Sequence, residues 1–174
     1  MNGQHMVALQ ELSSPAKRSA RPSSGIVDRH RLQVIAPGVA EAVTSAGGLI
    51  FDRAMAGWDV TVVVDGEIDE VDDRPIRILG ARVAPLSPGP ACLAVAADML
   101  VKSEAVRRVV LAALNSRMTE VLLWGRGYAP GLKCTLAAVH HRPSAAAHVF
   151  KSHALAAGGT SCAAMADEGF FSAT

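Results

Sequence analysis

Two short apolar runs separated by an amphipathic segment constrain the fold of this chain more than any other feature. Residues 32–36 and the segment "WDVTVVVDG" (58–66) predict β-strands, because they are apolar, largely β-branched and end at turn residues. The apolar residues between them recur every three to four positions, as on one helical face: Val39, Val43, Ala46, Ile50 and Ala54. A strand, a helix and a second strand form a βαβ unit, whose crossover is almost always right-handed.

Glycines interrupt and end the helix of this unit. Gly47 and Gly48 each weaken a helix by about 1 kcal/mol relative to alanine. They predict either a break in the helix or a very close approach of the helix to the sheet. Gly57 suits the left-handed position that ends a helix.

The rest of the chain continues the alternation of strands and helices. The predicted elements are a strand at 76–81, helices at 91–101 and 104–114 with Ser103 as an N-cap, a strand at 119–125, and a helix from 144 that ends at Gly158. This order predicts a single layered, Rossmann-like α/β domain with a mostly parallel sheet of about four or five strands. Val62, Val64 and Leu122 are expected in its core.

Composition divides the chain into three parts. Residues 1–27 are expected to be a disordered N-terminal tail, since "SSPAKRSARPSSG" (13–25) holds no apolar residue larger than alanine. Residues 28–160 form the α/β domain. Residues 161–174 show weak patterning and are expected to be a weakly ordered C-terminal tail.

Net charge, the length of apolar runs and the cysteine spacing indicate which partners and compartment to expect. A formal net charge of +1 provides no global field for nucleic acid or an anionic membrane, so neither partner is expected. No stretch approaches the roughly 18 consecutive apolar residues of a membrane span, and the first residues lack the apolar core of a secretory signal. Three cysteines without a close pair favour a reducing compartment. We therefore expect a cytoplasmic protein, with homo-oligomerisation left open.

A glycine-rich turn follows the strand at 119–125. Gly125, Gly127 and Gly131 would let backbone N–H groups approach a phosphate. However, a dinucleotide-binding loop follows the first strand and is paired with an acidic residue about 20 positions later, and neither condition holds. A P-loop needs Gly-Lys-Ser/Thr, whereas Lys133 is two residues from Gly131 and precedes a cysteine. A structural turn is therefore favoured, with an anion or nucleotide contact as the alternative.

The carboxyl ends of the strands define the expected site. Asp65 ends a predicted strand, where the ligands of open α/β sheets bind. If its strand runs parallel to the one before the turn, Asp65 and the turn share one rim, with positive charge from Arg126 and Lys133. The candidate ligand-binding residues are Asp65, Gly125, Arg126, Gly127, Gly131 and Lys133.

Other chemistry-bearing residues favour structural interpretations. The acidic segment "DGEIDEVDD" (65–73) lacks the glycine of a calcium loop and is followed by arginines, so a solvated loop is favoured over a Mg²⁺ or Ca²⁺ site. His148 and His153 lie roughly 140° apart on a helix, which disfavours zinc. A nucleophilic role for Cys134 is also disfavoured, because no partner base can be named. No metal ligand and no catalytic residue is assigned, and the cofactor is left unassigned.

Residues 32–65 resemble Rossmann-like α/β domains, without a diagnostic motif, and a fold of this kind does not determine function. Three hypotheses remain. The first is a non-catalytic module that binds a small anionic ligand or nucleotide at the strand rim. The second is a nucleotide- or phosphate-dependent enzyme that uses Asp65 and the glycine-rich turn. The third is an accessory or assembly protein that associates through alanine-rich helices.

Overall fold

The structure, a computed structural model, describes residues 29–125, 132, 134–161 and 167–173. These residues form one mixed sheet and five α-helices. In chain order the elements are β1 (Arg31–Ala36), α1 (Val39–Met55), β2 (Asp59–Val64), a 3₁₀ turn (Ile68–Glu70), α2 (Arg74–Ile78), β3 (Arg82–Val83), β4 (Cys92–Ala96), α3 (Met99–Lys102), α4 (Glu104–Ser116), β5 (Glu120–Trp124), β6 (Leu136–His141), α5 (Ala145–Ala157) and β7 (Glu168–Ala173).

The sheet has seven strands in the order β3-β2-β1-β4-β5-β7-β6. The first five of these are parallel, whereas β7 runs antiparallel to both β5 and β6. The α/β class is therefore confirmed. The expected sheet of four or five mostly parallel strands is wrong, because β6 and β7 extend it and make it mixed.

The connections turn in opposite directions from the middle of the sheet. From β1 the chain crosses to β2 on one side, and from β4 it crosses to β5 on the other. Since both crossovers are right-handed by rule, α1 and α4 cover opposite faces. Helices α2 and α5 join α1 on its face, and α4 packs on β5. The order of the strands thus reverses between β1 and β4.

The core lies along the central strands. Every residue of β4 is buried, as are all residues of β1 after Arg31. Val62 is fully buried and Leu122 is 6% exposed, as predicted. Val64 is only half-buried, because β2 ends there at the edge of the sheet.

The first βαβ unit has the predicted order, and its glycines allow a close approach rather than a break. Helix α1 is continuous through Gly47 and Gly48. A Cβ atom at Gly48 would lie 2.5 Å from Cγ of Pro143, and one at Gly47 would lie 3.1 Å from Cγ of Lys151. Gly57 follows the helix with a φ of 84°, as its predicted role requires.

Two predicted elements are wrong. The strand expected at 76–81 is the short helix α2 with a turn behind it, and Pro75 lies in the first helical turn, where it is well tolerated. The helix expected at 91–101 is mainly β4, followed by the four residues of α3. A continuous apolar run fits a strand buried on both faces as well as a buried helix.

The later helices agree better with the sequence. The Ser103 side chain accepts a hydrogen bond from Val106 N and caps α4, and Ser144 caps α5 in the same way. The strand predicted at 119–125 is β5. Residues 161–174, expected to be weakly ordered, contain β7, which pairs with two neighbours. The predicted disordered tail, 1–27, lies outside the described residues.

No helix in the described part of the chain is both long enough and apolar enough to cross a membrane.

Candidate functional site

The carboxyl ends of β1 and β4 lie where the strand order reverses, which in open α/β sheets is the position of a ligand-binding crevice. These two strands are neighbours in the sheet, and the segments that follow them lead to opposite faces. In open α/β sheets, ligands bind where the connections diverge in this way. Helix α1 begins on one side of the crevice, and α3 begins on the other.

The first turn of α1 faces this crevice without a capping side chain. Gly38 is the N-cap, with an extended backbone (φ −167°, ψ 170°). Nothing lies within 4 Å of the position where a Cβ atom would be, so the space beside this glycine is open. The first backbone N–H groups of a helix have no partner within the helix and carry the positive end of its dipole. They can therefore donate hydrogen bonds to an anion.

A lysine with three carboxylates near it lies at the same edge. Lys102 Nζ is 2.5 Å from Asp98 Oδ2, and both side chains are substantially exposed. The hydrogen bond to Asp98 and the charge of Asp98 raise the pKa of Lys102, and the carboxylates of Asp65 and Glu41 raise it further. Residues from α1, α3 and the end of β2 thus converge around one ammonium group.

A buried tryptophan ties two of these elements together. Trp124 Nε1, at the end of β5, donates a hydrogen bond of 3.3 Å to Glu41 Oε1 in the first turn of α1. Its carbonyl accepts a hydrogen bond from Ala97 N, just after β4. Phe170 supports the ring edge-on, at 6.2 Å between ring centroids. The borders of the crevice are therefore connected to one another.

The structure places two of the predicted site residues at this edge. Asp65 follows β2 and is exposed; Gly125 follows β5 with a φ of 88°, a conformation that favours glycine. Because β1 and β4 lie between their strands, the two residues are separated by three strand spacings, roughly 14 Å. The structure does not bring them into contact. Arg126, Gly127, Gly131 and Lys133 lie outside the described residues.

Sequence reasoning missed Glu41, Asp98 and Lys102. Each follows a parallel strand within a few residues, which is the signal that singled out Asp65. The signal does not show for Asp98 and Lys102, because the apolar run that forms β4 predicts a helix. Glu41 lies in a predicted helix, and its position near the end of β4 depends on the long-range pairing of β1 with β4.

The acidic segment is exposed, and part of its charge is neutralised by arginine. Arg74 bonds to Asp72 through its guanidinium, at 3.1 Å, and through its backbone N–H. These two bonds lower the pKa of Asp72. Across the described ranges, no three His, Cys, Asp or Glu side chains are grouped so that they could hold a metal ion.

A serine, an aspartate and a histidine meet elsewhere, between α1, α5 and β6. Asp52 accepts a hydrogen bond of 2.6 Å from Ser144 Oγ, and His141 Nε2 lies 3.0 Å from the other oxygen of Asp52. In a catalytic triad the serine bonds to the histidine, but here both bond to the same carboxylate. Burial raises the pKa of Asp52, but the bonds from Ser144 and His141 outweigh it, and the net pKa is lowered. The group joins three elements and does not activate a nucleophile.

The described cysteines do not form a reactive centre. Burial, together with the nearby Glu120, raises the pKa of Cys92 to about 12, so its thiol stays protonated and unreactive. Cys134 is half-buried, and the lysine beside it, Lys133, lies outside the described residues.

No protein-family model and no curated protein sequence matches this chain. Solved structures do match it in fold. The A40926 pseudoaglycone deacetylase superposes with a TM-score of 0.55 at 14% identity, over 84% of this chain and 98% of the other. A deacetylase in complex with teicoplanin gives 0.56 at 14% identity, over 83% and 98%. The zinc-inhibited form of teicoplanin deacetylase gives 0.51 at 15% identity, over 72% and 82%. At these identities the likeness establishes a shared α/β fold.

Proposed function

We propose that this domain binds a small anionic ligand, such as a phosphate compound or a nucleotide, in the crevice between the carboxyl ends of β1 and β4. The observation that carries the proposal is the open, uncapped N-terminus of α1 beside the point where the strand order reverses. Lys102, at the end of α3 and shortly after the neighbouring strand β4, supplies a positive charge on this side of the sheet. Backbone N–H groups at a helix N-terminus and a lysine are complementary to an anion. The fold supports this location, since open α/β sheets bind ligands there.

In this proposal the first turn of α1 and Lys102 make different contacts with the anion. The N–H groups of the first turn of α1 donate to the anion, and Lys102 adds a charge-assisted hydrogen bond. Asp98 holds Lys102 in the free protein, so the ligand replaces this carboxylate as the partner of the ammonium group. Arg126 and Lys133, together with the backbone of Gly125, Gly127 and Gly131, extend the site toward a larger ligand.

The described residues support a binding function without catalysis. The segments that follow β1, β2, β4 and β5 as far as they are described (37–41, 65–67, 97–103 and 125) contain no histidine and no cysteine. Two of the acidic side chains there are already paired, Asp98 with Lys102 and Glu41 with Trp124. None of these segments pairs an activated nucleophile with a base.

A deacetylase is the second candidate, and one observation favours it. The solved structures that share this fold include deacetylases, one of them in complex with teicoplanin. Incubation of the protein with teicoplanin, followed by mass spectrometry for the loss of an acetyl group, tests this candidate. Release of the acetyl group would replace the binding proposal with an enzymatic one.

Calorimetric titration with AMP and with inorganic phosphate, at constant ionic strength, tests the binding proposal. We expect Lys102→Gln to weaken AMP binding about tenfold, because a hydrogen bond to a charged group contributes about 1.5–3 kcal/mol. Arg107→Gln is the matched control, since Arg107 is also half-exposed and paired within its own helix, with Glu104. The proposal would be overturned if the wild type bound neither AMP nor phosphate. It would also be overturned if a folded Lys102→Gln variant bound AMP as tightly as the wild type.

A further inference from the structure

The amino ends of the first three strands carry a concentration of positive charge. Arg29 and Arg31 lie at the start of β1, Arg82 starts β3, and Arg53 lies in the last turn of α1. Asp59, the first residue of β2, is the acidic residue among them. Four arginines with one aspartate carry a formal charge of +3, whereas the whole chain carries +1. We call this group the amino-edge cluster.

Three arginines of the cluster, Arg82, Arg31 and Arg29, act electrostatically on the carboxylate of Asp59. The hydrogen bond from Arg82 lowers the pKa of Asp59 against the opposing effect of burial, and the charges of Arg82, Arg31 and Arg29 lower it further. Arg82 binds both carboxylate oxygens of Asp59, at 2.5 and 3.0 Å. Arg82 thus neutralises Asp59, and the other arginines of the cluster leave an excess of positive charge.

Two other arginine side chains of the cluster, Arg31 and Arg53, are held by the protein. Arg31 donates to the carbonyl oxygens of Pro88 and Gly89, at 3.0 and 2.6 Å. Arg53 stacks on Trp58 with its guanidinium carbon 4.5 Å from the ring centroid, and His30 covers the same tryptophan at 5.0 Å between centroids. Side chains that are fixed before binding lose less conformational entropy when a ligand arrives.

Two cavities open at this cluster and share Asp59 and Arg82. The first, of about 420 Å³, is also lined by Arg29, Trp58 and the glycines that follow α1 and α2. The second, of about 210 Å³, is bordered by Arg31 and by three neutral hydrogen-bonding side chains: Gln33, Thr61 and Ser87. Gln33 is only 1% exposed, so a buried amide lines this cavity.

We propose that the amino-edge cluster is a second binding site, which takes the phosphate group of a free phosphate ion or of a phosphorylated metabolite. Guanidinium groups match the planar arrangement of two phosphate oxygens and bind them bidentately. Arg29, just before β1, and Arg82, at the start of β3, line the larger cavity and are the residues that contact the anion. This site lies at the opposite edge of the sheet from Lys102, and it does not depend on the function proposed for the crevice.

Calorimetric titration of the full chain with inorganic phosphate, glucose 6-phosphate and glucose tests this site. The titrations are made at constant ionic strength and in a Lys102→Gln background, in which binding at the crevice is weakened, and the arginine variants are compared within this background. We expect Arg29→Gln combined with Arg82→Gln to weaken phosphate binding at least about tenfold. Arg74→Gln is the matched control, because Arg74 is as exposed as Arg82 and is also paired with an aspartate; it should change the affinity less than about twofold.

The sugar probes distinguish the two sources of phosphate. Tighter binding of glucose 6-phosphate than of phosphate indicates a phosphorylated metabolite, and equal binding indicates the free ion; both support the site. The proposal would be overturned if only glucose bound, or if phosphate bound no more tightly than chloride at the same ionic strength. An unchanged phosphate affinity in the folded double variant would also overturn it. If the double variant does not fold, Arg29→Gln alone, which leaves the Arg82–Asp59 pair intact, provides the same comparison.

Discussion

At the scale of single residues, a buried ion pair organises one side of the domain. Lys151 Nζ in α5 lies 2.6 Å from Glu168 Oε1 in β7, and both side chains are 1% exposed. The two oxygens of Glu168 also accept hydrogen bonds from the backbone N–H groups of Gly48 and Leu49, at 2.7 and 2.9 Å. A helix, a strand and a second helix thus meet at one carboxylate.

Gly48 permits this meeting because it has no side chain. In Gly48→Ala the new Cβ atom would lie 2.5 Å from Pro143 and 3.1 Å from Glu168 Oε1. Overpacking costs about 1–3 kcal/mol, which exceeds the gain of up to about 1 kcal/mol from helix propensity. We expect a lower free energy of unfolding in urea. Gly169→Ala is the control, since its nearest neighbour is 3.9 Å away; equal stability of both variants would contradict the close approach.

Removing one member of the buried pair should cost more than removing both. Lys151→Met leaves Glu168 charged and buried, which typically costs about 3–5 kcal/mol. Lys151→Met combined with Glu168→Gln keeps an oxygen for the N–H of Gly48 and removes the charge, so part of the loss should be recovered. Urea unfolding of both variants measures this difference. A double variant less stable than the single one would show that the charge of Glu168 is compensated by the backbone alone.

At the scale of elements, Asp52 links α1 to β6 and to the start of α5. Its pKa is lowered, so its contribution to stability is present above the unfolded pKa of about 4 and is lost as pH falls through the folded pKa. The difference in unfolding free energy between wild type and Asp52→Asn should therefore shrink as pH falls from about 5 to about 2. Asp72→Asn, at an exposed ion pair, should show a smaller difference at every pH. A difference for Asp52 that is constant with pH would contradict its lowered pKa.

The strands and helices differ in how well the sequence alone predicts them. The first βαβ unit was predictable, because its helix and its strands have distinct apolar patterns. β4 was not, since an apolar run buried on both faces carries no period. That error hid the end of β4, and with it Asp98 and Lys102. β7 contains a glycine, and its assignment depends on pairing with strands that are separate from it in the sequence.

At the scale of the whole molecule, the two edges of the sheet differ in charge. The carboxyl edge carries Lys102 among three carboxylates, and the amino edge carries the amino-edge cluster. Sequence reasoning expected an anion at the carboxyl edge from its glycines and from charges in the turn after β5. It could not foresee the opposite cluster, because Arg29, Arg53 and Arg82 become neighbours only when β1, β2 and β3 pair.

Residues 1–27 remain predicted to be dispensable for folding. Their composition offers little apolar surface to bury, and the buried residues of the described core lie between Leu32 and Ala173. Deletion of these residues should leave the melting temperature within about 4 °C, which corresponds to less than about 1 kcal/mol for a domain of this size. A larger decrease in a calorimetric scan would mean that this segment packs on the domain.

The central claim is that the crevice between β1 and β4 binds an anion. Titration of ¹⁵N-labelled protein with AMP, followed by NMR, tests it most directly, because each backbone amide reports separately. We predict the largest chemical-shift changes at the amides of Gly38, Val39 and Ala40, with the AMP concentration at half-saturation about tenfold higher in Lys102→Gln. Unchanged signals at these three amides, or the same half-saturating concentration in the variant, would contradict the claim.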